Sequence, residues 1–269
     1  MTNLLQRTLT GSLIVAIIIF CVWCSDLSTY LLFSLVTIFC LIEYFKMIHG
    51  KNKFWVILFS ILGLIVFNGA LYAIENLNFN MQIALISLAM VGIASLEFLI
   101  RPGKTSVTIG TKNLWGILYI AFPFALACLL RPDFENQREV LLGFFILQWS
   151  ADSFAYLVGS KFGKTKLAPN ISPKKTWEGF IGGAILTILI GCLLSLFFDQ
   201  LSTLQWIIIS LLVSFFGTIG DLFESRLKRH FGIKDSGNFL PGHGGFLDRF
   251  DGVLFSMPVV YSYIHFFVL

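Results

Sequence analysis

The chain has 269 residues, of which 57% are hydrophobic and only 13% are charged. Soluble domains carry about 25% charged residues, so this composition excludes a soluble domain and is typical of a polytopic membrane protein. The formal net charge of +4 is small, and the positions of the charges are therefore more informative than their sum.

Nine apolar runs are long enough to cross a bilayer, for which a helix needs roughly 20 mostly apolar residues. They cover approximately residues 8–24, 27–47, 54–74, 81–99, 114–130, 140–159, 178–198, 204–223 and 248–268. We therefore predict an all-α integral membrane protein with about nine transmembrane helices. The first run follows Arg7 as in a signal peptide, but no small-x-small cleavage site follows it, which favours an uncleaved first helix.

The basic residues follow the positive-inside rule if the N-terminus is cytoplasmic. All of the 19 Lys and Arg residues except Arg131 and Arg138 then lie in cytoplasmic segments. This distribution predicts nine spans with the C-terminus outside. It also places two long polar loops, 160–177 and 224–247, in the cytoplasm, where nucleotides are found.

Residues 1–139 carry few chemically distinctive side chains and are predicted to be N-terminal scaffold helices. Glu43 and Glu97 lie near the cytoplasmic ends of the second and fourth runs. We interpret them as interfacial anchors that pair with Lys46 and Arg101.

Residues 140–269 are predicted to be the catalytic region, and their first unusual residue is Asp152. It lies inside the sixth apolar run, where a carboxylate costs about 2.5–3.5 kcal/mol on insertion scales. An intramembrane carboxylate is a candidate functional residue. The alternative is a polar clamp between helices.

The loop after the sixth run ends in residues 172–176, SPKKT, directly before the seventh run. Thr176 is a predicted N-cap, and the free N–H groups at the start of a helix favour an anion. The alternative is a basic segment that only sets topology or contacts lipid headgroups. The glycines 179, 182 and 183 predict a close approach of another helix.

The end of the eighth run presents four polar side chains on one helical face, namely Asp221, Glu224, Ser225 and Lys228. Asp248 and Asp251 likewise share a face at the start of the ninth run. Because the intervening loop reverses the chain, we expect Asp221 and Asp248 at the same membrane level. Converging carboxylates repel unless a cation lies between them, and they are ligands that Mg²⁺ prefers.

His243 lies in the turn PGHGG between the last two runs. Three roles stay open for it: a hydrogen-bond donor to phosphate, an acid, and a residue that caps the turn.

The stretch from Ser225 to Asp251 resembles the signature of the phosphatidate cytidylyltransferase (CDP-diacylglycerol synthase) family, bacterial type. The matching residues are Ser225, Lys228, Arg229, Lys234, Asp235, Gly237, Pro241 to Gly245, Phe246, Asp248, Arg249 and Asp251. The upstream segment 164–179 also looks like the bacterial branch. The resemblance is strong over roughly the second half of the chain and is limited to hydropathy in the first.

The resemblance implies an Mg²⁺-dependent enzyme of phospholipid biosynthesis that condenses CTP with phosphatidic acid to give CDP-diacylglycerol and pyrophosphate. It implies a homodimer in the bacterial cytoplasmic (inner) membrane, with the active site facing the cytoplasm and dimer contacts in the first half. The residues suit this reaction, because a lipid phosphate is already a nucleophile and the protein has only to hold two polyanions together.

Each candidate residue receives a role from these arguments. The catalytic candidates are Asp221, Asp248, Lys228 and His243. The candidate metal ligands are Asp221 and Asp248, followed by Asp251 and Asp152. The candidate substrate-binding residues are Ser172, Lys174, Lys175, Thr176, Ser225, Arg229, Lys234 and Arg249. The number of metal sites, and whether one binds a monovalent ion, stays open.

Two other functions are compatible with parts of the pattern. A CTP-dependent lipid kinase would transfer the γ-phosphoryl group and release CDP. An anion transporter would use intramembrane aspartates as ion sites and predicts inverted repeats in matched halves, whereas here the polar residues crowd into the second half.

Overall fold

The computed structural model describes residues 3–77, 80–100, 109–130, 138–237, 239 and 244–268, with the side chains of these residues except 3–8, 80 and 94–100. Within them the chain forms helices and one small sheet. The helices are α1 (Asn3–Cys24), α2 (Asp26–His49), α3 (Lys53–Leu77), α4 (Asn80–Ile100), α5 (Ile109–Cys128), α6 (Arg138–Phe162), α7 (Trp177–Leu194), α8 (Thr203–His230) and α9 (Leu247–Phe267). The strands are β1 (Lys166–Ala168) and β2 (Ser172–Thr176).

Each predicted run corresponds to one of these helices, and the all-α class is confirmed. In the described part of the chain, α2, α3, α5, α6, α7 and α8 are long and apolar enough to cross a membrane. The other apolar stretches are shorter: Leu9–Cys24 in α1 and Met81–Ile93 in α4. The structure therefore supports a polytopic membrane protein with six candidate spans, and the count of nine stays a prediction.

The two predicted polar loops are shorter than the hydropathy indicates, and the first contains a hairpin. α8 continues to His230, beyond the predicted end at residue 223, because Glu, Leu, Arg and Lys are good helix formers. In the first loop, β1 and β2 pair antiparallel, with Lys166 opposite Thr176 and Ala168 opposite Ser172. The hairpin holds the lysine-rich segment against the bundle instead of leaving it irregular.

α9 runs through the centre of the bundle. Its residues 252–262 are all buried, and a helix that is buried on every side belongs to a protein core. Its N-terminal turn, which carries Asp248 and Asp251, is thereby fixed against the surrounding helices.

Glycines bring α6 and α7 into close contact, as predicted. A Cβ atom on Gly183 would lie 2.8 Å from the Cα atom of Ala155, and one on Gly179 would lie 2.7 Å from the Ala155 carbonyl oxygen. Only helices with glycine at the contact can approach so closely. This contact places the start of α7, and the hairpin before it, beside the face of α6 that carries Asp152.

Candidate active site

Ten charged residues of the second half line one cavity of about 940 Å³. Its lining comes from α1, α6, the hairpin, α7, α8, the loop after α8 and α9. The charged lining residues are Asp152, Lys166, Lys174, Lys175, Asp221, Lys228, Asp235, Asp248, Arg249 and Asp251. Asp221 and Asp248 thus line the same cavity, as the chain reversal between α8 and α9 predicts.

Asp221 lies between a cation and a hydroxyl group. Its Oδ2 atom is 2.5 Å from the Nζ atom of Lys175 in the hairpin. Its Oδ1 atom accepts a hydrogen bond of 3.1 Å from the hydroxyl group of Ser225, one helical turn later. A predicted phosphate-binding lysine therefore contacts a predicted metal ligand, and together they join the hairpin to α8.

Lys228 lies at the centre of a buried cluster of charged side chains. Its Nζ atom lies 2.5 Å from Oε2 of Glu224 and 2.5 Å from Oδ1 of Asp248. Glu224 is fully buried, and a buried carboxylate requires a partner of opposite charge. Lys228, one of the catalytic candidates, thus bridges two carboxylates at the edge of the cavity.

Asp248 organises the loop before α9. Its Oδ2 atom accepts hydrogen bonds from the backbone N–H groups of Ser236 (2.9 Å) and Gly245 (2.8 Å). Gly244 has a φ of +84°, and a Cβ atom there would lie 2.8 Å from the same oxygen. Because Lys228 contacts Oδ1, both carboxylate oxygens of Asp248 have partners. A metal ion would therefore bind Oδ1 only if Lys228 moved away from it.

Asp152 and Asp251 complete the carboxylate group of the cavity. The Asp152 side chain is exposed to the cavity, and Asp251 is close enough to Asp152 and Asp221 to be repelled by them. The polar clamp between α6 and α9 is made by Gln148, whose Oε1 atom accepts a 2.9 Å hydrogen bond from Ser256. This leaves Asp152 in the cavity rather than in a contact between helices.

The start of α7 is built as predicted. Thr176 is the N-cap, and its Oγ1 atom accepts a 3.2 Å hydrogen bond from the N–H group of Gly179. Glu178 accepts hydrogen bonds from the N–H groups of Lys164 and Thr165, each at 3.0 Å. The hairpin is therefore tied to the helix end that we predicted to attract an anion.

Several candidate residues lie elsewhere. Ser172, Ser225, Arg229 and Lys234 do not line the cavity. Arg229 donates a 3.1 Å hydrogen bond to the carbonyl group of Ile233 and so closes the turn after α8. His243, and the predicted pairing of Glu97 with Arg101, lie outside the described residues.

The sequence interpretation missed the role of Glu43. Its carboxylate accepts hydrogen bonds from the N–H groups of Phe246 (3.0 Å) and Leu247 (2.9 Å) at the start of α9. It also accepts a 2.9 Å hydrogen bond from the Ser236 hydroxyl group. The prediction that Glu43 is an anchor paired with Lys46 is therefore corrected: Glu43 caps α9. A carboxylate at a helix end was the only sequence signal, and it could not identify a partner 200 residues away.

The donor chemistry of the cavity fits a hard divalent cation. Within the described residues, no three His, Cys, Asp or Glu side chains are gathered closely enough to hold a metal by themselves. Mg²⁺ usually takes only one or two carboxylates and completes its coordination with water and substrate phosphates. Carboxylates facing a cavity that also holds lysine and arginine suit that arrangement.

Residues 5–267 match the model of the Cytidylyltransferase family, and the chain belongs to that family. The chain is 34% identical over 269 residues to the phosphatidate cytidylyltransferase of Bacillus subtilis (strain 168), with 97% of each chain covered. It is 43% identical over 164 residues to the phosphatidate cytidylyltransferase of Staphylococcus aureus (strain COL), covering 58% of this chain and 63% of that protein.

Proposed function

We propose that the protein is a phosphatidate cytidylyltransferase, which condenses CTP with phosphatidic acid to give CDP-diacylglycerol and pyrophosphate in phospholipid biosynthesis. The observation that carries the proposal is a single cavity that combines lysines and an arginine with carboxylates at the end of membrane-type helices. The full-length similarity to a phosphatidate cytidylyltransferase supports the same reaction.

The lining of the cavity combines two chemically different groups of residues. Lys174, Lys175 and Arg249 supply positive charge. Ile14 and Ile18 of α1 and Trp149 of α6 supply apolar surface. A charged nucleotide suits the first group and a lipid suits the second, so one cavity is able to hold both substrates.

The proposed reaction needs no nucleophile from the protein. A phosphate oxygen of phosphatidic acid attacks the α-phosphorus of CTP and forms a new P–O bond. The bond from the α-phosphorus to the bridging oxygen of the β-phosphate breaks, and its electron pair leaves with pyrophosphate. Lys174, Lys175 and Arg249 reduce the repulsion between the two anions, since positioning and charge stabilisation are the main requirements of phosphoryl-type transfer.

The carboxylates of the cavity would hold a divalent cation such as Mg²⁺: Asp152 and Asp251 line the cavity, and Asp221 and Asp248 would join them where Lys175 and Lys228 leave their oxygens. When bound, it would offset phosphate charge and the charge that develops on pyrophosphate. A strong chelator should therefore stop turnover, and added Mg²⁺ should restore it. A rate that is unaffected by the chelator would refute this part of the proposal.

We also propose nine spans, with the N-terminus and the cavity on the cytoplasmic side of the bacterial inner membrane. Contacts at one end of the bundle support the alternation: the Tyr44 hydroxyl group donates to the Lys112 carbonyl group (3.0 Å), and Lys112 approaches His230 (3.5 Å). At the other end, Arg138 lies 3.9 Å from Asp26. A homodimer with contacts from residues 1–139 is proposed from the family resemblance alone.

The decisive experiment supplies phosphatidic acid and CTP labelled at either the α or the γ position to the purified protein in lipid vesicles. Label should enter the lipid from the α position only, and labelled pyrophosphate should appear from the γ position. Lipid labelling from the γ position would instead identify a lipid kinase. A sample carrying Asp221→Asn serves as the control for label that is transferred without the enzyme.

A further inference from the structure

Glu43 connects the first half of the chain to the turn that carries Asp248. It is 6% exposed, and backbone packs closely around its carboxylate: a Cβ atom on Gly237 would lie 2.5 Å from Oε1. One turn earlier on α2, Phe39 stacks on Phe246, with 4.9 Å between the ring centroids. The same side of α2 therefore binds this turn through an aromatic ring and a carboxylate.

The contacts of Glu43 and Asp248 share a residue. The hydroxyl oxygen of Ser236 lies 2.9 Å from Glu43 Oε2 and 3.0 Å from Asp248 Oδ2. A hydroxyl group has a single proton and donates to one of these oxygens at a time. The N–H group of Gly245, which binds Asp248, directly precedes the N–H groups of Phe246 and Leu247, which bind Glu43.

An ionised carboxylate is suited to this place for two physical reasons. Negative charge is stabilised at a helix N-terminus, and α9 has no capping hydrogen bond from the side chain of its own N-cap residue, Phe246. Hydrogen bonds from N–H groups to a carboxylate are also roughly twice as strong as those between neutral groups. Glutamine at position 43 would place an NH₂ group, which only donates hydrogen bonds, against part of the same cluster of donors.

We propose that Glu43 is a positioning residue for catalysis, which sets the place of Asp248 and of the turn 244–247 at the edge of the cavity. The inference deepens the proposed function and rests on it. It assigns α2, in the half of the chain predicted to be scaffold, a direct part in shaping the active site. Glu43 does not line the cavity, so its effect passes through the backbone that it holds.

The test compares Glu43→Gln with the matched control Glu75→Gln, which changes an exposed glutamate on α3. Steady-state kinetics with CTP and phosphatidic acid give kcat and KM, and hydrogen exchange reports the mobility of residues 236–247. We expect Glu43→Gln to lower kcat about tenfold, with a much smaller change in the KM for phosphatidic acid. Exchange should accelerate in 236–247 while α5 and α6 keep their protection, and Glu75→Gln should match the wild type.

A double-mutant cycle with Ser236→Ala adds a second readout. Because Ser236 and Glu43 share a hydrogen bond, the combined loss in kcat should be smaller than the product of the two single losses. A purely multiplicative result would contradict the shared role. If Glu43→Gln fails to fold, Ser236→Ala alone must lower kcat and accelerate exchange in 236–247, or the inference is overturned.

The remaining outcomes separate the two proposals. A kcat of Glu43→Gln within about twofold of the wild type, or a loss of kcat without faster exchange in 236–247, overturns the positioning role and leaves the proposed function intact. If the wild-type protein forms no CDP-diacylglycerol, the proposed function fails, whereas the exchange data still show whether Glu43 fixes the turn.

Discussion

The two halves of the molecule bury different kinds of side chain. In α1 to α5 the contacts are mainly aromatic and aliphatic; Phe33 of α2, for example, stacks on Phe124 of α5 with ring centroids 6.0 Å apart. In α6 to α9, carboxylates and lysines meet at a cavity within the bundle. The difference supports our proposal that the chemistry is concentrated in residues 140–269, with support from the first half through residues such as Glu43.

The comparison also explains why only one half is conspicuous in the sequence. A charge within an apolar helix is costly unless it has a partner or a function, so Asp152 and Asp221 stand out. A supporting residue such as Glu43 looks like an ordinary charge at the end of a helix. The following variants test whether residues 140–269 hold the catalytic groups and residues 1–139 support them.

The largest effect is expected from Asp221→Asn, which removes the charge that contacts Lys175. If the second half holds the chemistry, kcat should fall about 10²- to 10³-fold, as when a charge-stabilising group is removed from other active sites. The protein should still insert and fold, because asparagine keeps the shape of the side chain. Assays in lipid vesicles with labelled CTP measure the loss.

The matched control is Asp199→Asn, which changes an exposed aspartate between α7 and α8. Its activity should equal that of the wild type. A comparable loss in both variants, or no loss in Asp221→Asn, would contradict the assignment of the cavity as the active site.

The next effect concerns stability. Lys228→Met leaves the buried carboxylates of Glu224 and Asp248 without their cation, and breaking a buried ion pair in this way costs about 3–5 kcal/mol. Chemical unfolding in detergent should show this decrease in the free energy of unfolding. Lys234→Met, at an exposed lysine nearby, should change it by about 0.5 kcal/mol or less. Equal stability of the two variants would mean that Lys228 is not the buried bridge that its contacts indicate.

The same contrast shows what the sequence could predict. Helix number and approximate bounds follow from hydropathy alone. The cap at Thr176 follows from its position before an apolar run, and the place of Asp221 and Asp248 in one cavity follows from the reversal between α8 and α9. Each of these depends on local pattern or simple geometry.

The features that were missed depend on contacts between distant segments. Lys228 binds two carboxylates, one on its own helix and one on α9. A lysine binds carboxylate and phosphate equally well, so its residue type does not predict which of them is its partner. The hairpin of β1 and β2 is only three and five residues long, too short to give a periodic signal. The capping of α9 by Glu43 joins residues about 200 positions apart, which no single-sequence pattern records.

A smaller effect on stability is expected where helices touch through glycine. Gly183→Ala places a Cβ atom 2.8 Å from the backbone of Ala155, so α6 and α7 must separate, and overpacking of this kind costs about 1–3 kcal/mol. Gly69→Ala on α3 is the control from the first half, since its Cβ atom would have no neighbour within 4 Å. Thermal unfolding should show a loss for Gly183→Ala only, and equal midpoints would show that the α6–α7 contact adapts without cost.

The smallest expected effect on stability comes from the N-cap of α7, which lies beside the cavity. Thr176→Val keeps the shape of a side chain that is only 4% exposed but removes the oxygen that accepts from Gly179, which should cost about 1 kcal/mol. Thr176→Ser keeps that oxygen and is the matched control. Hydrogen exchange should accelerate in the first turn of α7 in the valine variant, while exchange in the turn 244–247 stays unchanged because Glu43 and Asp248 hold that turn independently. If exchange accelerates in both regions, the hairpin and the turn before α9 form one structural unit. Local support and the active site would then not be separable.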